Sequence, residues 1–202
     1  MVGKSIDDIS IAIINEAYTA IDIGRDQTWL INELMNIKEN FKGTLAFVNL
    51  RAYDIKEIEK RLEFADLIYI VGGSQIILPE LFKSIGFDEL LKELAERKVI
   101  MGTSAGANVL GRQIEDPNYW LDQYDASEDY LTQKALGLVD FNILPHFDRA
   151  DHPRRNRKIL EHILSNTPFS LYGLTDTQAV IYNEGSINFV GGEPVVFGQA
   201  HE

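Results

Sequence analysis

A chain of 202 residues, 45% hydrophobic and 25% charged, has the length and composition of one water-soluble domain, 1–202, with a sizeable core. Its 31 acidic against 19 basic residues give a net charge of -12, which repels a phosphate backbone and argues against nucleic acid as a partner. Zero cysteines exclude disulfides, thiolate metal sites and a cysteine nucleophile, leaving hydroxyls and carboxylates for any covalent chemistry. No apolar run approaches about 18 residues and the first residues lack a signal-peptide core, so the expectation is a cytoplasmic protein with no membrane contact.

Taken in order, Ile9 to Ile14 is short and β-branched, the pattern of a buried strand. Asp26 to Asn40 reads as a helix, with Trp29, Leu30, Leu34 and Ile37 at three-to-four spacing and Asp26 placed to cap. Leu45 to Leu50 is a second strand, and Ile55, Ile58, Leu62 and Ala65 mark a short helix whose charges form its solvated side. Leu67 to Val71 is apolar throughout, as expected of a central parallel strand covered on both faces, and it ends at Gly72-Gly73. Glycines at the carboxyl end of such a strand are either a plain turn or backbone amides opened toward a substrate oxygen. Leu78 to Ile85 and Phe87 to Arg97 are helical, broken around Gly86, and lead to the strand Val99-Ile-Met. Alternation of strand and helix implies an α/β fold with a mostly parallel sheet and helices on both faces.

That strand feeds Gly102-Thr-Ser104-Ala-Gly106, a Gly-x-Ser-x-Gly followed by helix-compatible residues. Such a nucleophile elbow holds its serine on a strained strand-to-helix turn, and the flanking glycines, lacking Cβ, let neighbouring backbone approach. The Ser104 hydroxyl then reaches a base, while the first amides of the helix, led by Ala105 N–H, face an oxyanion. A tight turn whose serine merely caps the helix is the alternative reading. Beyond it, Glu115 to Lys134 is rich in Asp, Glu, Tyr and Trp with poor periodicity, and reads as a long loop or lid.

Leu136 to Leu144 is apolar again and delivers His146 at a strand end, where a general base for Ser104 is wanted. His146, Asp148, Asp151 and His152 crowd together, yet the His-Glu-x-x-His spacing of a helical zinc site is absent, so neither metal nor cofactor is expected. Arg149, Arg154, Arg155 and Arg157 fall within nine residues of an acidic chain. They either grip a substrate carboxylate, with Arg154 and Arg157 sharing one face of a helix from Arg154 to Ser165, or pair with Asp148, Asp151 and Glu161 at the surface. Ser170 to Asn183 and Ser186 to Phe197 read as paired strands turning at Asn183-Glu184-Gly185.

Gly72-Gly73, the Gly-Thr-Ser104-Ala-Gly-Ala-Asn block, the Leu-Pro-His146-Phe block and Gly173-Leu-Thr-Asp-Thr-Gln-Ala179, in that order, resemble peptidase family S51, which contains the aspartyl dipeptidases called peptidase E and the cyanophycinases. The resemblance runs from about Ile9 to about Gly192. It implies a sheet similar to class I glutamine amidotransferases, with flavodoxin-like layering, and a Ser-His-Asp/Glu triad. Ser104 and His146 match nucleophile and base, Gly73 joins Ala105 as oxyanion donor, and the spacing of relatives points to Asp122 as the acid, with Asp125 and Asp116 as runners-up. It further implies a short peptide substrate carrying an acidic group, a dipeptide with N-terminal aspartate, which Arg154 and Arg157 would read; a monomer or homodimer is expected. Relatives usually carry Gly-Gly-Asn-Thr where this chain has Gly72-Gly73-Ser74-Gln75, and they begin with a further strand and helix ahead of Ile9. Two other readings stay open from the sequence: a catalytically idle relative acting as a binding protein, and a serine esterase of another α/β class.

Overall fold

The computed structural model describes residues 3–19, 26–75, 77–115, 131–152, 155, 157, 160–161 and 169–198. They form two compact units, Met1–Gly106 and Ala107–Glu202.

The first unit alternates strand and helix. Its strands are β1 (Ile11–Ile14), β2 (Leu45–Phe47), β3 (Leu67–Ile70) and β4 (Val99–Gly102); its helices are α1 (Glu16–Thr19), α2 (Thr28–Asn40), α3 (Ile55–Leu62), α4 (Ile77–Ile85) and α5 (Phe87–Ala95). The strands lie in the order β2-β1-β3-β4 and every pair is parallel, with Ile11 opposite both Leu45 and Leu67, and Leu67 opposite Val99. All four carboxyl ends therefore point the same way. Every residue of β1 and β3 is buried, as their all-apolar sequences require of strands covered on both faces. One face carries Ile11, Ile13, Leu67 and Tyr69, packed with Leu30, Leu34 and Ile37 of α2. Trp29 departs from the expected stripe: it is 40% exposed and meets the Tyr18 ring edge-on. Asp26 also sits one residue earlier than a cap, since Gln27 is the capping position, and its carboxylate instead accepts the Thr28 N–H at 2.9 Å. The shorter helices bury Ile58 and Leu62 of α3, Phe82 of α4, and Phe87 and Leu91 of α5.

Chain order reverses between β1 and β3: from β1 the sheet grows outward to β2 on one side and to β3 and β4 on the other. In open parallel sheets the crevice at the carboxyl ends beside such a reversal is where ligands bind. Here that position holds Glu16 after β1 and Gly72-Gly73 after β3. Glu16 is almost fully buried, its carboxylate accepts the Leu50 N–H, and burial pushes its pKa above the usual carboxylate range.

The second unit holds β7 (Asn142–Leu144) parallel to β8 (Leu171–Gly173), with β11 (Val195–Phe197) antiparallel on the other side of β8. β9 (Ala179–Asn183) and β10 (Ser186–Val190) form a hairpin. Its turn residues Glu184 and Gly185 have φ of 49° and 84°, the paired positive values that favour a tight primed turn. The two expected strands are thus four, because Leu174 to Gln178 and Gly191 to Pro194 leave extended pairing. The expected loop from Glu115 to Lys134 is also corrected at its ends, where β5 (Gln113–Glu115) and β6 (Leu131–Lys134) pair antiparallel. Their polar sequences hide this pairing from any hydrophobic pattern. Phe141, Ile143, Tyr172 and Leu174 form one buried cluster, and Leu144, Phe147, Leu160, Leu171 and Phe197 another. Most of the helix expected from Arg154 to Ser165 lies outside the described residues.

Candidate active site

At the end of β4 the backbone turns through Thr103 into α6 (Ala105–Asn108), and Ser104 takes a φ of 49°. A non-glycine residue with such a φ pays a steric penalty and is held there by its surroundings. The surroundings are visible. A Cβ on Gly72 would lie 2.8 Å from Ser104 Cβ and 3.4 Å from its Oγ, while one on Gly106 would lie 2.1 Å from the Ile70 carbonyl oxygen. Glycine at 106 therefore lets the start of α6 press onto β3, and glycine at 72 opens room beside the serine. Thr103 N–H donates to Ile70 O at 3.1 Å and Gly106 N–H to Thr103 O at 2.8 Å, closing the turn. Gly73 has φ of 140°, and a Cβ there would come within 2.5 Å of the Ala17 carbonyl. The strained strand-to-helix turn expected from the sequence is thus present at Ser104. Gly106→Ala is expected to destabilise the protein by about 3 kcal/mol in chemical denaturation, since the methyl group meets backbone that cannot swing aside.

His146 follows β7 and has φ of 57°. Because Leu144 pairs with Gly173 in the parallel β7–β8 ladder, the residues leaving both strands emerge side by side. His146 leaves β7 and Asp176 leaves β8, and their side chains meet with Nδ1 2.7 Å from Oδ1. Arg149 Nη1 also lies 3.1 Å from Nδ1, but the closer Asp176 carboxylate favours a proton on that nitrogen and leaves Nε2 basic, the tautomer a general base needs. Burial works against the Asp176 charge, but the hydrogen bond from His146 and the charges of His146 and Arg149 hold its pKa below the usual range.

Several contacts fix this pair. Phe147 N–H donates to Leu174 O and Leu174 N–H to Leu144 O, both at 2.9 Å, stitching the two loops together. Thr175 N–H donates to Gln178 Oε1 at 3.0 Å across the turn that carries Asp176. Arg155 is buried, and its Nη1 donates to Pro145 O at 2.7 Å, one residue before His146. Burial lowers its pKa to about 9, so it remains cationic at neutral pH. The His152 ring lies 5.0 Å from that of His146, and burial, followed by the His146 charge, pushes its pKa down.

The arginine cluster divides by role. Arg149 grips Asp151 with Nε and Nη2, and its Nη1 donates to Asp176 Oδ2 at 3.1 Å. Arg155 supports the His146 turn. Arg157 makes an exposed pair with Glu161 at 3.3 Å, and Arg154 lies outside the described residues. Asp122, Asp125 and Asp116 also lie outside them. Asp176 was not singled out from the sequence as a partner of His146, although it stands in the Gly173-Leu-Thr-Asp stretch that carries the family resemblance. The signal available was its position just past a short apolar run; the neighbouring of β7 and β8 was not readable. Among the described residues no group of three or more His, Asp or Glu is arranged to hold a metal ion, and no helix is long and apolar enough to cross a membrane.

Comparison with known proteins identifies a family and a shared fold. The model of peptidase family S51 matches residues 22–190. An uncharacterized peptidase of Listeria monocytogenes is 28% identical over 134 residues, 66% of this chain and 64% of the relative. A peptidase E of Pasteurella multocida is 32% identical over 149 residues, 67% of this chain and 60% of the relative. The matched regions thus span less than two thirds of these relatives' lengths. Among solved structures, a candidate peptidase E protein from Listeria monocytogenes shares the fold with a TM-score of 0.71 at 21% identity, over 94% of this chain and 89% of that one. A peptidase from an acI-B1 actinobacterium does so with a TM-score of 0.65 at 18% identity, over 95% and 82%. With an S51 match through the elbow, the histidine and Asp176, on the α/β fold these structures share, the chain belongs to peptidase family S51.

Proposed function

We propose that the protein is a serine-type peptidase that hydrolyses short peptides, with dipeptides carrying an N-terminal aspartate as its preferred substrates. The observation that supports this most is the strained turn at Ser104, with φ of 49° beside Gly72 and Gly106, where a Cβ would meet neighbouring atoms, in a chain of an established peptidase family. In the proposed mechanism His146 takes the Ser104 proton, Oγ attacks the scissile carbonyl, and the amides of Gly73 and Ala105 hold the oxyanion. His146 then protonates the leaving amine, and water hydrolyses the acyl-enzyme by the same route. Asp176 is the proposed acid, because its carboxylate bonds His146 Nδ1; Asp122, which family spacing suggests, is the alternative.

The acidic preference is assigned to Arg157 and Arg154. Arg149 is already committed to two carboxylates and Arg155 is buried in a supporting role. The Arg157–Glu161 pair is exposed on both sides, so exchanging Glu161 for a substrate carboxylate costs little. The test compares kcat/KM on dipeptides beginning with Asp, Asn and Ala. Asp should be favoured at least tenfold, about 1.4 kcal/mol, and the preference should collapse in Arg157→Ala or Arg154→Ala. Equal rates on all three would leave a general short-peptide hydrolase; no hydrolysis of any would favour the idle binding protein.

A further inference from the structure

We infer that Glu33, acting through the hydroxyl of Thr103, is a positioning residue for the nucleophile. This rests on Ser104 being that nucleophile. Thr103 is the residue on which the elbow pivots, and its backbone is already fixed on both sides: its N–H bonds Ile70 O and its carbonyl accepts the Gly106 N–H. Its side chain is fixed as well. Thr103 Oγ1 donates to Glu33 Oε1 at 2.5 Å, and the Tyr69 hydroxyl donates to the same carboxylate oxygen, with the two hydroxyl oxygens 3.0 Å apart.

Glu33 is unusual for its place. It lies on α2 within the stripe Leu30, Leu34 and Ile37 that packs on the sheet, a half-buried position that packing alone fills with an apolar residue. Putting a carboxylate there is unfavourable unless hydrogen bonds compensate it, and Tyr69 and Thr103 supply two. Burial raises the Tyr69 pKa further above its ordinary value, and the Glu33 charge adds to that, so Tyr69 stays protonated and remains a donor. Both hydroxyl protons then go to Glu33, which gives the Thr103 side chain one orientation. The strained Ser104 φ next to it needs a rigid support of this kind, since a turn free to relax would carry Oγ away from its productive direction.

The experiment measures the rate of acylation by a small fluorophosphonate, kcat and KM on an Asp-dipeptide, and thermal stability. Thr103→Val and Glu33→Ala should each lower acylation rate and kcat at least tenfold with KM changed less than twofold. The double variant should lose no more than either single one, because both remove the same link. Thr103→Ser, which keeps the hydroxyl, should restore both rates to within about threefold of the unsubstituted protein. Stability loss with unchanged acylation in Glu33→Ala and Thr103→Ser-like rates in Thr103→Val would make the network purely structural and overturn the inference. Should Thr103→Val not fold, Glu33→Ala alone decides by the same criterion. A protein that is never acylated, even unsubstituted, would instead remove the serine-peptidase reading and this inference with it.

Discussion

Ser104→Ala and His146→Ala are each expected to abolish nearly all peptide hydrolysis, by on the order of a million-fold in kcat, with the fold retained. The size follows from the division of labour. In the proposed mechanism, without Oγ there is no acyl-enzyme, and without the imidazole the hydroxyl keeps its proton and is a poor nucleophile at neutral pH. The losses should not add, because either change already leaves only the oxyanion donors and substrate binding. Neither change threatens stability: Ser104→Ala removes one oxygen from a turn held by backbone hydrogen bonds, and His146 is followed by a loop pinned through Phe147, Leu174 and Arg155. The check is steady-state kinetics of both single variants and the double, with circular dichroism to confirm folding. Full activity in Ser104→Ala would end the serine-peptidase reading.

The second large effect is expected at Asp176. Asp176→Asn should lower kcat on the order of ten-thousand-fold, because an amide in place of the carboxylate presents an N–H to His146 Nδ1 and selects the wrong tautomer. It also withdraws a charge partner from Arg149, whose guanidinium keeps Asp151 as its other anchor. Folding should survive, since Asp176 is half-exposed on its turn. Asp122→Asn, Asp125→Asn and Asp116→Asn should each stay within a few-fold of the unsubstituted rate. If Asp122→Asn loses activity while Asp176→Asn keeps it, the acid is Asp122 and the Ser104–His146 mechanism stands.

Much of the first unit was legible because its local signals agree. Leu67 to Ile70 has no charged residue and only the Tyr69 hydroxyl as a polar group, so a strand covered on both faces suits it, and the glycines around Ser104 have one steric purpose at a strand-to-helix turn. The hairpin at Glu184-Gly185 was legible for the same reason, since its turn chemistry is local. What stayed hidden depends on contacts between distant segments. Asp176 meets His146 only because β7 and β8 are neighbours, and nothing in either three-residue strand names its partner. Arg155 looked like one more surface cation in a basic cluster, whereas it is buried under the His146 turn, a placement that charge statistics argue against. The Glu33–Thr103 link was equally silent, because a glutamate on a helix reads as solvated until the helix is docked.

Whether Ser104 is the nucleophile of an acyl-transfer site is read directly by intact-mass analysis after exposure to a fluorophosphonate, followed by peptide mapping. One adduct per chain is expected, mapped to Ser104, absent in Ser104→Ala and strongly slowed in His146→Ala. A protein that hydrolyses peptides yet carries no adduct at Ser104, or carries it on another residue, would contradict that role for Ser104.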